Sequence, residues 1–217
     1  DVIGLLPTGA GKSLTYQLSA LLQPGVSVVV APLKSLMHDQ FANLRQAGIG
    51  SVRYIDSSLG TQERQRVQRE MREGRFQFVF VSPERLQIQK FRDHLQSMEV
   101  PITYCVVDEA HCVSEWGHDF RTAYLRLGAN AREHCSTEWP NLPIIALTGT
   151  ASFDVLADVR RELEFGEETN TVTPATMERE ELVFDIVHVP SPEVDSDDDP
   201  WEIRKSVFQQ KKQVLPE

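Results

Sequence analysis

Long apolar runs, paired cysteines and an excess of basic charge are all missing from this sequence, and each absence excludes something. No stretch approaches the roughly 18 apolar residues that a helical membrane span requires. No charged-then-apolar leader opens the chain, so no membrane partner is expected. The three cysteines, Cys105, Cys112 and Cys135, have no C-x-x-C spacing. That speaks against a disulfide framework and fits a reducing compartment inside the cell: cytoplasm if the source is bacterial, nucleus if eukaryotic. Cys112 lies near His111 and His118, but no second close pair completes a tetrahedral metal set. The net charge is −10, which at first argues against a polyanionic partner. Its distribution removes that objection. Residues 1–160 carry 16 Lys+Arg against 17 Asp+Glu, whereas residues 161–217 carry 6 against 15. The acidity belongs to the tail, and a nearly neutral body can still present a basic groove.

What is present is an alternation. Short runs rich in Val, Ile and Phe recur at 2-VIGLL, 26-VSVVVA, 77-QFVFVS, 103-TYCVVD and 143-PIIALT, with a weaker one at 52-VRYI. They lack polar alternation, as strands covered on both faces do. Helix-compatible amphipathic segments separate them, at roughly 12–23, 34–47, 61–73, 84–98, 121–134 and 152–164. This pattern predicts an α/β fold with a mainly parallel sheet and helices on both faces. The arginines at 64, 66, 69, 72 and 75 read as an ion-paired helix face, because Arg66/Glu70 and Arg69/Glu73 stand at i,i+4. The texture changes after about residue 165: a strand is expected at 182-LVFDIVHV, an acidic Pro-rich linker at 190-PSPEVDSDDDP, and a helix from Trp201 to Val214. Asp195, Asp197 and Asp199 have the early spacing of a calcium loop, but Pro200 and Ser206 occupy its required Gly and Glu positions. The expected organisation is one lobe over 1–175, truncated at its N-terminus because Val2 already reads as strand, and then a linker with the start of a second lobe over 176–217.

Two constellations carry chemistry. The run 7-PTGAGKS-13 follows a strand and opens a helix. Gly9 and Gly11 let the backbone curl so that successive N–H groups face phosphate oxygens, aided by the helix N-terminus. Lys12 then reaches the β- and γ-phosphates, and the Ser13 hydroxyl takes a magnesium position. Pro7, Thr8, Gly9, Ala10, Gly11, Lys12, Ser13 and Leu14 form the candidate nucleotide loop; Leu6 stands where the usual pattern has another glycine. The second constellation, Asp108-Glu109, ends a later apolar run. Asp108 would hold magnesium, directly or through water, and Glu109 would orient the attacking water. Together the two define a nucleoside-triphosphate site with Mg2+.

Residues 1–165 resemble the first RecA-like lobe of superfamily 2 helicases, and within them the RecQ family of DNA helicases. PTGAGKS is similar to motif I, 32-PLKSLMHDQ-40 to motif Ia, 82-SPERL-86 to motif Ib, DEAH at 108–111 to motif II and 147-LTGTAS-152 to motif III. The segment 114-SEWGHDFR-121 resembles the aromatic-rich loop that distinguishes RecQ enzymes from RNA helicases of the DEAD-box and DEAH-box type.

The resemblance implies an ATP-dependent DNA helicase that translocates on single-stranded DNA and unwinds partly duplex DNA, 3′ to 5′. It implies catalytic roles for Lys12, Asp108, Glu109 and His111. DNA contacts are implied at Lys34, Ser35, Gln40, Ser82, Arg85, Trp116, His118, Phe120, Arg121, Thr148 and Thr150. Trp116 and Phe120 offer ring faces to unstacked bases; the alternative is that they plug the core beside the sheet. A second RecA-like lobe with an arginine finger is implied as a partner, so this piece alone is expected to bind nucleotide weakly and hydrolyse little. Glu115 stands where many relatives carry Gln, and Gly149 where Ala is commoner. Another superfamily 2 translocase, an RNA helicase or a nucleotide-gated scaffold are the rival readings.

Overall fold

All six apolar runs from 2-VIGLL to 143-PIIALT become strands of one sheet. The computed structural model describes residues 1–115, 123–135, 141–149, 152–174, 201, 204–205 and 207–209. The strands are β1 (Val2–Leu5), β2 (Val26–Val30), β3 (Val52–Ile55), β4 (Phe78–Val81), β5 (Ile102–Val107), β6 (Ile144–Thr148) and β7 (Asn170–Val172). Their order is β3-β4-β2-β5-β6-β1-β7, and every pairing is parallel. The helices are α1 (Lys12–Leu21), α2 (Lys34–Gln46), α3 (Thr61–Arg72), α4 (Gln89–Gln96), α5 (Cys112–Glu115), α6 (Leu127–His134) and α7 (Phe153–Glu162). The chain divides into two compact units, Asp1–Glu178 and Arg179–Glu217. In the second, the described residues from Trp201 to Gln209 are helical and Lys205 sits over the Trp201 ring; 182-LVFDIVHV lies outside the described residues.

Burial on both sides explains why the strands show no polar alternation. Val28, Val30, Val79, Val81, Cys105 and Val107 point to one face, where Val67 and Met71 of α3, Phe91 and Leu95 of α4, Leu127 and Ala131 of α6 and Val159 of α7 cover them. Val29, Phe78, Phe80 and Val106 point to the other face, where Tyr16 and Ala20 of α1 and Met37 and Leu44 of α2 pack. Successive residues of a strand face opposite sides, so a strand buried on both must be apolar throughout. No helix among the described residues is long and apolar enough to cross a membrane.

Two helix expectations are corrected, and one strand is new. The single helix at 84–98 is instead a 3-10 turn over Pro83–Gln87 followed by α4, because Ile88 between them is extended. Leu86 is buried by that turn and Arg85 nearly so, a geometry that a continuous helix would not supply. The helix expected from 121 begins at Leu127; Tyr124, completely buried, fixes the chain just before it. Gly128 in that helix lies against the Leu163 backbone so closely that a Cβ there would meet it at 2.6 Å. Strand β7 was not expected. It is short, wholly exposed and paired at the sheet edge with β1, with Thr171 Oγ1 accepting from Arg160 at 2.7 Å, so no apolar run announces it. The arginine-rich helix α3 is ion-paired as its spacing implies, with Arg66–Glu70 at 3.5 Å and Arg69–Glu73 at 4.0 Å.

Candidate functional site

In a parallel sheet the loops that follow the strands gather at one edge, and ligands bind there. Here that edge collects the loop after β1 (Leu6–Gly11), the segments after β2 (Ala31–Leu33), β3 (Asp56–Gly60) and β4 (from Ser82), and the residues after β5 (Asp108–His111) and β6 (Gly149).

The loop after β1 has the conformation its glycines allow. Gly9 and Gly11 have φ of 88° and 81°, in the left-handed region, and Gly11 caps α1. The Ala10 N–H donates to Pro7 O at 3.1 Å and the Leu14 N–H to Gly11 O at 2.9 Å. Thr8, Gly9, Ala10 and Gly11 are exposed, and the Leu14 side chain points to solvent. Lys12 Nζ donates to Leu6 O at 3.3 Å, a long bond easily exchanged for a phosphate oxygen. A Cβ at Gly149 would sit 3.0 Å from that Nζ, so the glycine found there leaves room for the folded-back lysine.

The acid pair stands next to this loop because β5 and β1 both border β6. Asp108 is buried, and its N–H donates to Val30 O at 2.9 Å. Burial, together with the adjacent Glu109 carboxylate, holds the Asp108 carboxyl above the ordinary range; the Glu109 N–H, Lys12 and His111 oppose the shift. Glu109 has φ 49°, a left-handed conformation uncommon outside glycine. Its N–H donates to Asp108 Oδ1 at 3.0 Å. His111 Nδ1 is 2.9 Å from Thr148 Oγ1 and 3.4 Å from Glu109 Oε2, which joins the acid pair to the end of β6. Tyr16 is fully buried on α1, where burial and then the Asp108 charge push its hydroxyl pKa up, so it stays a neutral phenol.

A consequence follows for stability. A carboxyl whose folded pKa exceeds its unfolded value, about 3.9, binds its proton more tightly when folded. Its favourable contribution is complete below the unfolded value and is lost as pH rises through the folded one. Without nucleotide or divalent cation, the melting temperature of Asp108→Asn minus that of wild type should therefore widen as pH is raised from about 4, then level off. Thermal unfolding across that range checks it, and a difference independent of pH would show that folding does not penalise this carboxylate.

The second concavity is a groove of about 760 Å³ lined by Lys34, Ser35, Asp56, Ser57, Ser82 and Arg85, among others. Four candidate DNA-contact residues from two segments, Lys34 and Ser35 after β2 and Ser82 and Arg85 after β4, thus come together. Lys34 and Ser35 are exposed, and Lys34 bonds the Ser57 hydroxyl. Arg85 is only 8% exposed and donates to Asp56 O at 2.9 Å; burial lowers its pKa. It shapes the groove floor more than it offers a free cation. Gln40 is not in the groove. Its Nε2 donates to Ser13 Oγ at 2.8 Å, and its Oε1 accepts from Gln17 Nε2 at 3.1 Å. Thr148 is wholly buried against His111. Trp116, His118, Phe120, Arg121 and Thr150 lie outside the described residues.

Sequence reasoning missed Asp56 and His38. Asp56 is 1% exposed and takes His38 Nε2 at 2.9 Å, the Ser58 N–H at 2.8 Å and the Ser58 hydroxyl at 2.6 Å. Burial alone would raise its pKa, but these hydrogen bonds prevail and hold it below the ordinary value. Its place directly after a strand was the available signal.

A model of the DEAD/DEAH box helicase family matches residues 1–159. The chain is 39% identical over 184 residues to the ATP-dependent DNA helicase RecQ of Bacillus subtilis, covering 84% of this chain and 29% of that protein. It is 42% identical over 163 residues to the ATP-dependent DNA helicase Q5 of Mus musculus, covering 73% of this chain and 16% of that one. The chain thus spans less than a third of the length of these relatives. Among solved structures, the helicase domain of Hef from Pyrococcus furiosus superposes with a TM-score of 0.58 at 19% identity, over 81% of this chain and 35% of that one.

Proposed function

We propose, from the premise that this chain belongs to the DEAD/DEAH box helicase family, that it is the nucleotide-binding motor lobe of a RecQ-like DNA helicase. ATP is the substrate, and the groove beside the nucleotide site takes single-stranded DNA. One observation carries the reading. The phosphate loop, the acid pair and a groove containing Lys34, Ser35 and Ser82 open on the same edge of one sheet, with α2 reaching from the groove to Ser13.

In this reading the loop N–H groups and Lys12 hold the triphosphate. The residues present fit Mg2+: Ser13 and Asp108 are hard oxygen donors, and Asp108 is a buried carboxylate whose charged form gains from a nearby cation. When bound, the ion neutralises charge on the β- and γ-oxygens. Glu109 orients the attacking water and accepts its proton, while His111 carries the state of the acid pair to Thr148. Trp116 and Phe120 stack unpaired bases, and Arg121 meets a phosphate. A second RecA-like lobe completes the cleft and supplies the missing positive charge, with residues 1–175 forming this lobe and 176–217 leading to the next. The three cysteines are buried and form no disulfide with one another, which suits a reducing intracellular setting.

Steady-state ATP hydrolysis by this lobe joined to a second RecA-like lobe, without nucleic acid, with single-stranded DNA and with single-stranded RNA, tests this. DNA should stimulate strongly, RNA little, and Trp116→Ala should lose most of the stimulation. Preferential stimulation by RNA would overturn the substrate assignment. No stimulation by either would overturn the motor reading in favour of a scaffold.

A further inference from the structure

We infer that Gln40 is a positioning residue that ties Ser13 to helix α2, so that nucleotide and the groove's occupant are sensed through one rigid element; the inference rests on the function proposed above. The motif-based expectation put Gln40 on DNA, but the structure turns its amide toward the nucleotide site.

A serine oxygen has two lone pairs and one hydrogen. The Gln40 Nε2 donation at 2.8 Å occupies one lone pair. The other remains for a cation and the hydrogen for a phosphate or carboxylate oxygen, so the Gln40 bond sets where both point. Gln40 is itself oriented, because its Oε1 accepts from Gln17 Nε2 at 3.1 Å. Its amide thus bridges two residues of α1 while its backbone belongs to α2.

The other anchor of α2 lies in the groove. Lys34, at its first turn, bonds the Ser57 hydroxyl, and His38 Nε2 meets Asp56 Oδ2 at 2.9 Å. Asp56 is also tied to the groove floor, since its carbonyl accepts from Arg85. From Lys34 to Gln40 is six residues, about 9 Å along a helix. Between these points Met37, fully buried, seats α2 on the sheet. A body pinned at both ends and packed along its length moves as a unit. An occupant that engages Lys34, or disturbs His38–Asp56, therefore shifts the amide that aims Ser13. Because the coupling is one of binding free energies, nucleotide must alter the groove's affinity by the same factor.

The test measures binding on the full 217-residue chain and no turnover. Fluorescent ATP with Mg2+ is titrated with and without a saturating oligothymidylate, and the oligonucleotide with and without ATP. In wild type, each ligand should change the other's Kd by about fivefold or more, the lower end of typical couplings. In Gln40→Ala both ligands should still bind, but the two ratios should collapse to about one. The similarly sized Gln40→Met, which removes the N–H donor without adding charge, should behave alike and decides the matter if the alanine variant does not fold. Undiminished coupling in a folded variant would overturn the role of Gln40 and leave the proposed function intact. Failure of wild type to bind the oligonucleotide at all would overturn both.

Discussion

Lys12→Ala should weaken binding of Mg-ATP on the order of 10²-fold, within the range for truncating a charged partner of a desolvated anion. The ammonium already sits in the phosphate loop, where it donates a long bond to Leu6 O, at 3.3 Å. Exchanging that neutral acceptor for phosphate oxygens yields shorter, charge-assisted bonds. The helix N-terminus and the loop N–H groups remain in the variant, so binding should be weakened and not abolished. Lys12→Arg should not restore it. The planar guanidinium is larger, and the space beside Nζ is limited by Thr8 and Gly149. Titration with fluorescent ATP checks both variants. An affinity for Lys12→Ala within about threefold of wild type, under 1 kcal/mol, would mean that this loop does not hold the triphosphate.

Glu109→Gln should show the opposite separation. Hydrolysis should fall by about 10²–10⁴-fold, the contribution of a positioned general base, while ATP binding stays close to wild type. The exchange keeps the shape and removes the negative charge together with the ability to accept a proton. Its geometry indicates a functional constraint: Glu109 adopts φ 49°, although it is not glycine. That turn places its carboxylate 3.4 Å from His111 Nδ1 while its N–H points back to Asp108. Strain of this kind costs about 1–3 kcal/mol and persists where the surroundings impose it. Single-turnover hydrolysis by this lobe joined to a second RecA-like lobe, alongside a binding titration, separates the two effects. Loss of binding in step with loss of hydrolysis would show that Glu109 holds the nucleotide and does not act on water.

How much of this was legible beforehand depended on whether the signal was local. The six strands were, because burial on both faces forces continuous apolar runs. The loop at 7–13 was, because its glycines and lysine act through adjacent backbone groups. The break at Ile88 was not, since a 3-10 turn and an α-helix draw on similar residues and only the fit of Arg85 and Leu86 beneath the sheet edge separates them. Strand β7 was not, because an exposed edge strand carries no burial pattern. Asp56 escaped notice as well; its partners His38, Ser58 and Arg85 come partly from other elements, and no short pattern encodes them.

Gln40 shows the division most clearly. Its place in a segment resembling motif Ia was visible, and so was its place on a helix. Which way the amide turned depended on how α2 packs beside α1, a relation set by the order β3-β4-β2-β5-β6-β1-β7 and by the depth at which Met37 and Tyr16 are buried. The sequence by itself determined the parallel α/β architecture, the family, and the phosphate loop with its acid pair, because each of these rests on periodicity or on neighbouring residues. Only the tertiary structure decided that Lys34, Ser35, Ser82 and Arg85 share one groove, that Arg85 is spent on its floor, and that Gln40 faces Ser13. Those relations join segments far apart in the chain, and side-chain direction across such gaps is fixed by packing.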